Sequence, residues 1–328
     1  MTEREENKKK FLKKNDLLFV PAEAITSDAS NRKYFRLTKG VKTIILMDSN
    51  PETNEPINNF IYFTNFLRAH NFSAPKIYDA DIPNGLLLLE DLGKSNFAKI
   101  LKTKPNIETI VYEEAANQLI NMQGKETPKL AKPYSIEILI KESLLFFQWY
   151  LGEKNSSRLS TQFVSLLTPL LQKIKQTKPT LVLRDFHAEN LIWIDDRTHF
   201  QRVGLLDYQD ALIGHPAYDI ASLLKDARRD VTIELHDHIL NYYLYMTKQN
   251  KDLFMRDYSI LSAQRNLKII GIFTRLSIRD NKKNYLNLIP RVWKNLEDDF
   301  THPELKNLSE FIIASAPFPN LDKLKTDN

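Results

Sequence analysis

The sequence predicts an α+β protein of two lobes, a small β-rich one followed by a larger, mostly helical one. Three observations carry this. Strand-like runs and tight turns fill the chain up to Leu89. After Gly93 the texture changes to long stretches with helical apolar spacing. Between residues 181 and 207, three short apolar runs enclose two polar islands. An apolar strand that ends in a short linker, Glu90-Asp91-Leu92-Gly93, marks the boundary, so the lobes are read as residues 1–90 and 91–328.

The elements follow in order. Residues 8–19 suit a short helix with Phe11, Leu12, Leu18 and Phe19 as its apolar contacts. A dense turn cluster, Ile25-Thr26-Ser27-Asp28-Ala29-Ser30-Asn31, separates it from a strand over Arg32–Leu37. Lys39-Gly40 is a hairpin turn, and Val41–Met47 is the returning strand. Pro56–His70 is helical. Ile77-Tyr78 and Leu86–Leu89 are strands around the turn Asp81–Gly85. Beyond the linker, helical spacing marks 107–123, 136–151, 158–175, 217–227, 233–247, 259–276 and 285–299, with 308–315 as a last helix. Leu181–Leu183, Leu191–Ile194 and Val203–Leu206 are short buried strands. No internal repeat or low-complexity segment interrupts this order.

Composition narrows the function classes. A chain of 328 residues can bury a full core, and its 42% hydrophobic and 27% charged residues are ordinary for a globular protein. With no cysteine, disulfides, thiolate metal sites and a cysteine nucleophile are excluded. The first ten residues lack an apolar signal core, and no stretch is long enough to span a bilayer, so a cytoplasmic protein without a membrane partner is expected. The net charge of +5 permits a nucleic-acid partner, but the basic residues are scattered among acids without interleaved aromatics, so none is expected. Glycine is rare, at 8 residues, so any phosphate-binding loop must be built from something else.

The polar islands carry the chemistry. Leu183-Arg184-Asp185-Phe186-His187-Ala188-Glu189-Asn190 and Leu206-Asp207-Tyr208-Gln209-Asp210 place Asp185, Asn190 and Asp207 next to rigid strands. Hard cations such as Mg²⁺ take a few oxygen ligands of this kind and complete their shell with phosphate and water. A separate carboxylate is needed to orient a hydroxyl toward phosphorus. The Asp-x4-Asn spacing alone is weak evidence, since Asp79/Asn84 and Asp91/Asn96 repeat it; the flanking strands and Arg184 single out the third copy. The bland alternative is three polar caps on a β-meander. The turn cluster offers backbone N–H groups and the hydroxyls of Thr26, Ser27 and Ser30 as a phosphate cradle, or is simply a surface turn.

These residues resemble the protein-kinase-like phosphotransferases, in particular the aminoglycoside and choline kinase branch. Arg184–Asn190 is similar to that branch's catalytic loop, Asp207 stands where it has its metal-binding Asp, and Leu88-Leu89-Glu90-Asp91-Leu92-Gly93 is similar to its hinge. Asp210 through Asp219–Leu224 is similar to the segment that follows, and the resemblance covers roughly residues 20–280. Several stretches resemble one bacterial subfamily, the anomeric sugar kinases of cell-wall recycling: Ser27–Arg36, Ile45–Asp48, Phe147–Leu151, Leu206–Asp210 and Gln264–Gly271. Two departures stand out. Leu183 occupies the place of a scaffold histidine, and the third strand, Thr43–Met47, has no lysine for the nucleotide's α/β-phosphates. Arg32 and Arg36 are the preferred substitutes; without one the chain would be a nucleotide-binding pseudokinase.

The resemblance implies roles. The first lobe binds ATP through Ser27, Asp28, Ala29, Ser30, Arg32, Arg36, Glu90 and Leu92, and the second carries catalysis and the acceptor. Asn190 and Asp207 hold Mg²⁺, Asp185 is the base, and Arg184 and His187 complete the loop, His187 as a phosphate donor or a brace. Asp219 is expected to take backbone N–H groups near that loop. The acceptor is a small-molecule sugar hydroxyl, met by Asp210, by the faces of Trp149 and Tyr150, and by basic groups such as Arg228 and Arg265, with Arg229, Lys268 and Arg275 as further candidates. Taken singly, the aromatics also suit a core and the basic residues a surface. Another small alcohol, such as an aminoglycoside or choline, is the rival acceptor, although the basic residues argue against a cationic one. A monomer is expected.

Overall fold

The computed structural model describes residues 2–25, 32–152, 157–174 and 178–316. The chain forms two compact units. One comprises Met1–Pro105 with Glu189–Asp210, the other Asn106–Ala188 with Ala211–Asn328. The division therefore differs from one at 90/91: the hinge and the second polar island belong with the β-rich unit.

In the first unit, α1 (Glu3–Lys14) starts at a capping box in which Thr2 and Glu5 satisfy each other's N–H groups. Acids in its first turn and lysines in its last complement the helix dipole. The helix thus begins five residues earlier than the apolar pattern suggests and stops sooner. Asp16 turns left-handed at φ 55°, which buries Leu17 and leaves Phe19 94% exposed. β1 (Ala22–Ile25), β2 (Lys33–Lys39) and β3 (Lys42–Asp48) follow, with Gly40 at φ 62° in the β2–β3 turn. Then come α2 (Asn58–Ala69), β4 (Ile77–Asp81), β5 (Leu86–Glu90) and α3 (Phe97–Thr103). The five strands form one antiparallel sheet in the order β1-β2-β3-β5-β4.

Strand alternation gives this sheet two different faces. Phe35, Leu37, Ile44, Leu46, Leu86 and Leu88 pack with Phe11, Leu12, Leu17 and Val20, so α1 seals that face. Arg4 to Asn84 O (2.9 Å), Lys8 to Asp48 (3.1 Å) and Lys14 to Asp79 (2.8 Å) fasten the helix to the strand ends. The opposite face carries Tyr34, Arg36, Ile45 and Met47 in register. Asp79, Asn84 and Asp91, the acidic and amide groups of the decoy motifs, are spent on such contacts, and Asn96 caps α3.

The second unit begins with α4 (Glu108–Gln123), α5 (Ile136–Leu145), a π-turn over Phe146–Tyr150, α6 (Arg158–Lys173) and the short strand β6 (Thr180–Val182). The chain then returns to the first unit for β7 (Leu191–Trp193) and β8 (Val203–Leu205), an antiparallel pair. Back in the second unit lie β9 (Leu212–Gly214), paired with β6, then α7 (Ala217–Leu224), α8 (Ile233–Thr247), α9 (Lys251–Arg279), α10 (Ile289–Asp299) and α11 (Lys306–Ser315).

α9, 29 residues long, is the axis of this unit and is buried from Tyr258 through Gly271. Gly271 lets the π-turn backbone lie against it: a Cβ there would come within 2.5 Å of Leu145 O and Phe146 N. Several polar groups inside the bundle are paired, as in Gln264 Nε2 to Leu139 O (2.9 Å) and Asn266 to Asp299 (2.8 Å). Among the described residues no helix is long and apolar enough to cross a membrane.

Candidate active site

The loop after β6 is built from its backbone outward. β6 pairs with β9 through Val182↔Leu212, which leaves Leu183 onward unpaired by any strand. Asp219, on α7, takes over: its carboxylate accepts the N–H of Leu183 (2.6 Å) and of Arg184 (2.9 Å). Arg184 stands at φ 73°, a conformation costly for a side chain with a Cβ, and this clamp holds it there. Four residues on, Asp226 accepts the N–H of Ala188 (3.0 Å) while its other oxygen accepts Arg228 N–H (2.8 Å). Phe186 is buried between the two clamps. The segment carrying Asp185 is thus pinned at both ends by carboxylates of the same unit.

Charge around Asp185 is organised by Glu142. That carboxylate binds the Arg184 guanidinium, the Tyr134 hydroxyl and, at 3.1 Å, Lys268. Arg184 also lies 5.5 Å above the Tyr134 ring, and the Tyr134 and Tyr218 hydroxyls share a 3.0 Å hydrogen bond. Burial alone would raise the Asp185 carboxyl, but Lys268 first, and Arg265 and Arg184 with it, outweigh burial and hold it below its ordinary range. Asp185 is therefore ionised at neutral pH. Burial pushes the Asp219 carboxyl up to about 7 against the pull of its two N–H donors. Burial likewise lowers His187 to about 4, so its ring is neutral.

A second cluster lies in the first unit. Leu191↔Leu205 and Trp193↔Val203 register β7 on β8, and Leu206 N–H extends the ladder to Asn190 O at 3.0 Å. Asn190 and Asp207 consequently flank the same end of one hairpin. Trp193 N–H to Ser95 O (2.8 Å), Leu205 N–H to Ser73 O (2.9 Å) and Asn96 to Glu189 O (3.2 Å) hold that hairpin in place. Tyr208, buried and stacked 5.3 Å from Phe60, shares a 2.7 Å hydrogen bond with Thr64. Asp207 has φ 57°, and Gln209 donates to it (2.8 Å) and to Asp210 (3.2 Å).

One amide oxygen and one carboxylate, both on a fixed hairpin end, fit a hard cation that draws its remaining ligands from phosphate and water. Among the described residues no group of three or more His, Cys, Asp or Glu could hold a metal. A cation at this hairpin end would rest on Asn190 and Asp207 rather than on an all-protein cage.

The other candidate residues divide. Ser27, Asp28, Ala29 and Ser30 lie outside the described residues. Arg36 is corrected as a phosphate partner: its guanidinium forks onto Asp91 at 2.6 and 2.9 Å and reaches Gly93 O at 3.2 Å, so it braces the hinge. Arg32 is placed differently. It acts on Tyr34, which burial and the charge of Asp207 push up to about 12, so Arg32, Tyr34 and Asp207 form one neighbourhood. The Glu90 carboxylate holds Arg68 (3.2 Å), Arg197 and Lys76 N–H (3.0 Å), and the Glu90 N–H goes to Lys76 O (2.8 Å), so neither is available to a nucleotide. Leu92 packs on Gly204, where a Cβ would sit 2.9 Å from it, and the Leu92 N–H has no hydrogen-bond partner among the described residues.

Tyr150 stacks on Phe146 (5.1 Å) and lies 5.9 Å from Trp293, so its ring belongs to a core cluster, and Trp149 beside it is half-buried. Arg228 lies over Phe273 (5.6 Å) and Tyr285 (6.0 Å), Arg229 binds Glu108, and Arg265 is buried on α9. Asp210 is exposed. Glu142, Tyr134, Tyr218 and Asp226 were not legible in the sequence. Glu142 falls at a polar position of an amphipathic stripe, which reads as a solvent face, and Asp226 follows a helix buried on every side.

Comparison with known proteins places this geometry. Residues 21–256 match the family model described as the phosphotransferase enzyme family. The chain belongs to that family. Two curated phosphotransferases named N-acetylmuramate/N-acetylglucosamine kinase are similar over most of their length. The Caulobacter vibrioides protein is 31% identical, with 96% of this chain and 98% of that one covered. The Pseudomonas aeruginosa protein is 32% identical, with 90% and 89% covered. Among solved structures, choline kinase from Streptococcus pneumoniae has a TM-score of 0.60 at 15% identity, covering 89% of this chain and 99% of that one. A spectinomycin phosphotransferase in complex with ADP and spectinomycin has a TM-score of 0.56 at 13% identity, covering 90% and 93%. This phosphotransferase thus has the protein-kinase-like fold of the aminoglycoside and choline kinases. Within that fold Leu183 is a buried loop residue, and Ile45 stands on the sheet face opposite α1.

Proposed function

We propose that this phosphotransferase moves the γ-phosphate of ATP to the anomeric hydroxyl of N-acetylmuramate and N-acetylglucosamine. The observation that carries this is the end-to-end similarity to kinases of that name, with 96% of this chain and 98% of the Caulobacter vibrioides protein covered.

The chain's own residues supply a mechanism. Asp185, kept ionised by Lys268, Arg265 and Arg184, accepts the hydroxyl proton of the sugar as its oxygen bonds to the γ-phosphorus and the bond to the β-phosphate oxygen breaks. The phosphoryl-transfer transition state is loose, so orientation by the pinned loop matters more than base strength, and an anomeric hydroxyl is more acidic than an ordinary alcohol. Asn190 and Asp207 are the residues that would hold magnesium, which when bound neutralises charge on the transferred and leaving phosphates. Arg32 takes the part of the absent third-strand lysine, because Arg36 is closed on Asp91. The Leu92 N–H is the hinge donor for a purine edge. Neutral, buried His187 braces the loop.

Choline or an aminoglycoside is a poorer acceptor for this chain: the side chains around Asp185 are cationic, whereas a cationic ligand calls for acids or an aromatic cage. A transfer screen read by mass spectrometry tests the proposal. It would offer ATP and magnesium with N-acetylmuramate, N-acetylglucosamine, hexoses, choline and kanamycin. Acid-labile phosphorylated amino sugars are expected. An acid-stable product, or transfer to choline or kanamycin alone, would overturn it.

A further inference from the structure

We infer that Arg265 distinguishes an acidic acceptor from a neutral one by pairing with the lactyl carboxylate that N-acetylmuramate carries and N-acetylglucosamine lacks. This rests on the sugar-kinase reading above and names how that same site would tell its two sugars apart.

Arg265 lies in the middle of α9, in the same unit as the loop that carries Asp185, and is only 4% exposed. Three residues further along the same face of α9, Lys268 binds Glu142, which also holds Arg184 of that loop. Arg265 thus stands on the helix face turned to the loop, and its charge acts on Asp185, His187 and Asp219. The guanidinium has no hydrogen-bond or ion-pair partner among the described residues, and its Nη1 is shut away from solvent. Two other cations that act on Asp185 have an acid partner: Arg184 and Lys268 both close on Glu142. A buried donor without an acceptor is destabilising, and a charged one more so. A guanidinium kept in that condition next to the reacting carboxylate is a receptor for an anion that the protein itself does not supply.

The chemistry of the ligand follows from the donor and its placement. A planar guanidinium binds a carboxylate through two parallel hydrogen bonds. Arg265 is near enough to Asp185 to lower its carboxyl, yet the two do not form an ion pair. In this assignment the C1 hydroxyl of the sugar meets Asp185 while its acidic substituent, two carbons away, meets Arg265. The rival role is that Arg265 merely keeps Asp185 ionised, which would affect every acceptor alike.

Steady-state kinetics on the full chain separates the two. The acceptors are N-acetylmuramate, its methyl ester and N-acetylglucosamine; the proteins are wild type, Arg265→Gln and Arg265→Lys, each checked by thermal melting. With wild type, esterification should raise KM about ten-fold or more, the scale of one charge-assisted pair. Arg265→Gln should raise KM for the free acid to that of the ester, leaving acid and ester alike, and Arg265→Lys should restore part of the difference. Equal use of acid and ester by wild type would overturn the assignment without any variant being needed. A fall in kcat alike for all three acceptors in Arg265→Gln, with the acid–ester difference in KM left as in wild type, would overturn it in favour of the rival role. No transfer to any of the three by wild type would remove the sugar-kinase reading itself, and this assignment with it.

Discussion

Asp219 accepts the backbone N–H of Arg184 at 2.9 Å, and so fixes a residue of φ 73° immediately before Asp185. The same carboxylate takes Leu183 N–H at 2.6 Å. The direction in which the Asp185 side chain leaves the loop is thereby set by a group that need never touch a substrate. Asp226 does the same at Ala188, so the loop is held at two points.

Replacing Asp219 by Ala strands two buried N–H groups. At about 1–3 kcal/mol each, the loss of stability should be roughly 2–5 kcal/mol, and Asn, which retains an acceptor oxygen, should recover part of it. Turnover should fall more than nucleotide affinity in both variants. Chemical denaturation and nucleotide titration on the same preparations check this; a variant of full turnover would separate the clamp from catalysis.

Arg32 and Arg36 should behave differently although both lie next to or within β2. Arg36 is bidentate to Asp91 and largely buried, so Arg36→Met should destabilise the first unit by roughly 2–4 kcal/mol, since the Asp91 charge loses its partner. Arg32→Met should leave the melting temperature close to wild type and raise KM for ATP about ten-fold or more, as expected of a lost phosphate contact. Melting curves and ATP saturation curves decide the assignment; the reverse pattern would exchange the two roles.

His187 predicts a pH dependence. Burial holds its ring near 4, against 6.5 for the free side chain. A depressed histidine contributes stability that is present above pH 6.5 and lost as the pH falls through 4, by roughly 3 kcal/mol for a depression of this size. Asp219 has the opposite sense, since its contribution is lost as the pH rises through about 7. His187→Gln should therefore flatten the stability profile between pH 6.5 and 4 without changing it between 7 and 8. It will not flatten it fully, because His215 is also lowered to about 4. Denaturation at a series of pH values reads this directly, and an unchanged acid slope would show that His187 is not held neutral.

Most of the fold was legible because the period of the apolar residues changes from two to three and a half near Gly93. α8 was bounded correctly at both ends, and the strands around Asp185, Asn190 and Asp207 were located within a residue or two. The start of α1 was missed because capping, not apolar periodicity, sets it. β9 was missed because only Leu212 and Ile213 of its residues are large and apolar, and Gly214 closes the run before a strand can be read. At the site, sequence spacing pointed to oxygen donors but not to what orders them. Asp226 and Glu142 act through loop N–H groups and side-chain cations that are distant in the chain. Arg36 looked free because its partner, Asp91, stands 55 residues away across the sheet.

Asp185 is assigned to receive the acceptor's proton. The most direct test of that role is Asp185→Asn, measured for turnover with N-acetylmuramate and for nucleotide affinity by titration. Asn keeps the shape of the side chain and removes the charge. Turnover should be lower by at least ~100-fold, the scale of a lost acid–base group, with nucleotide affinity nearly intact. Turnover near that of the wild type would contradict the assignment.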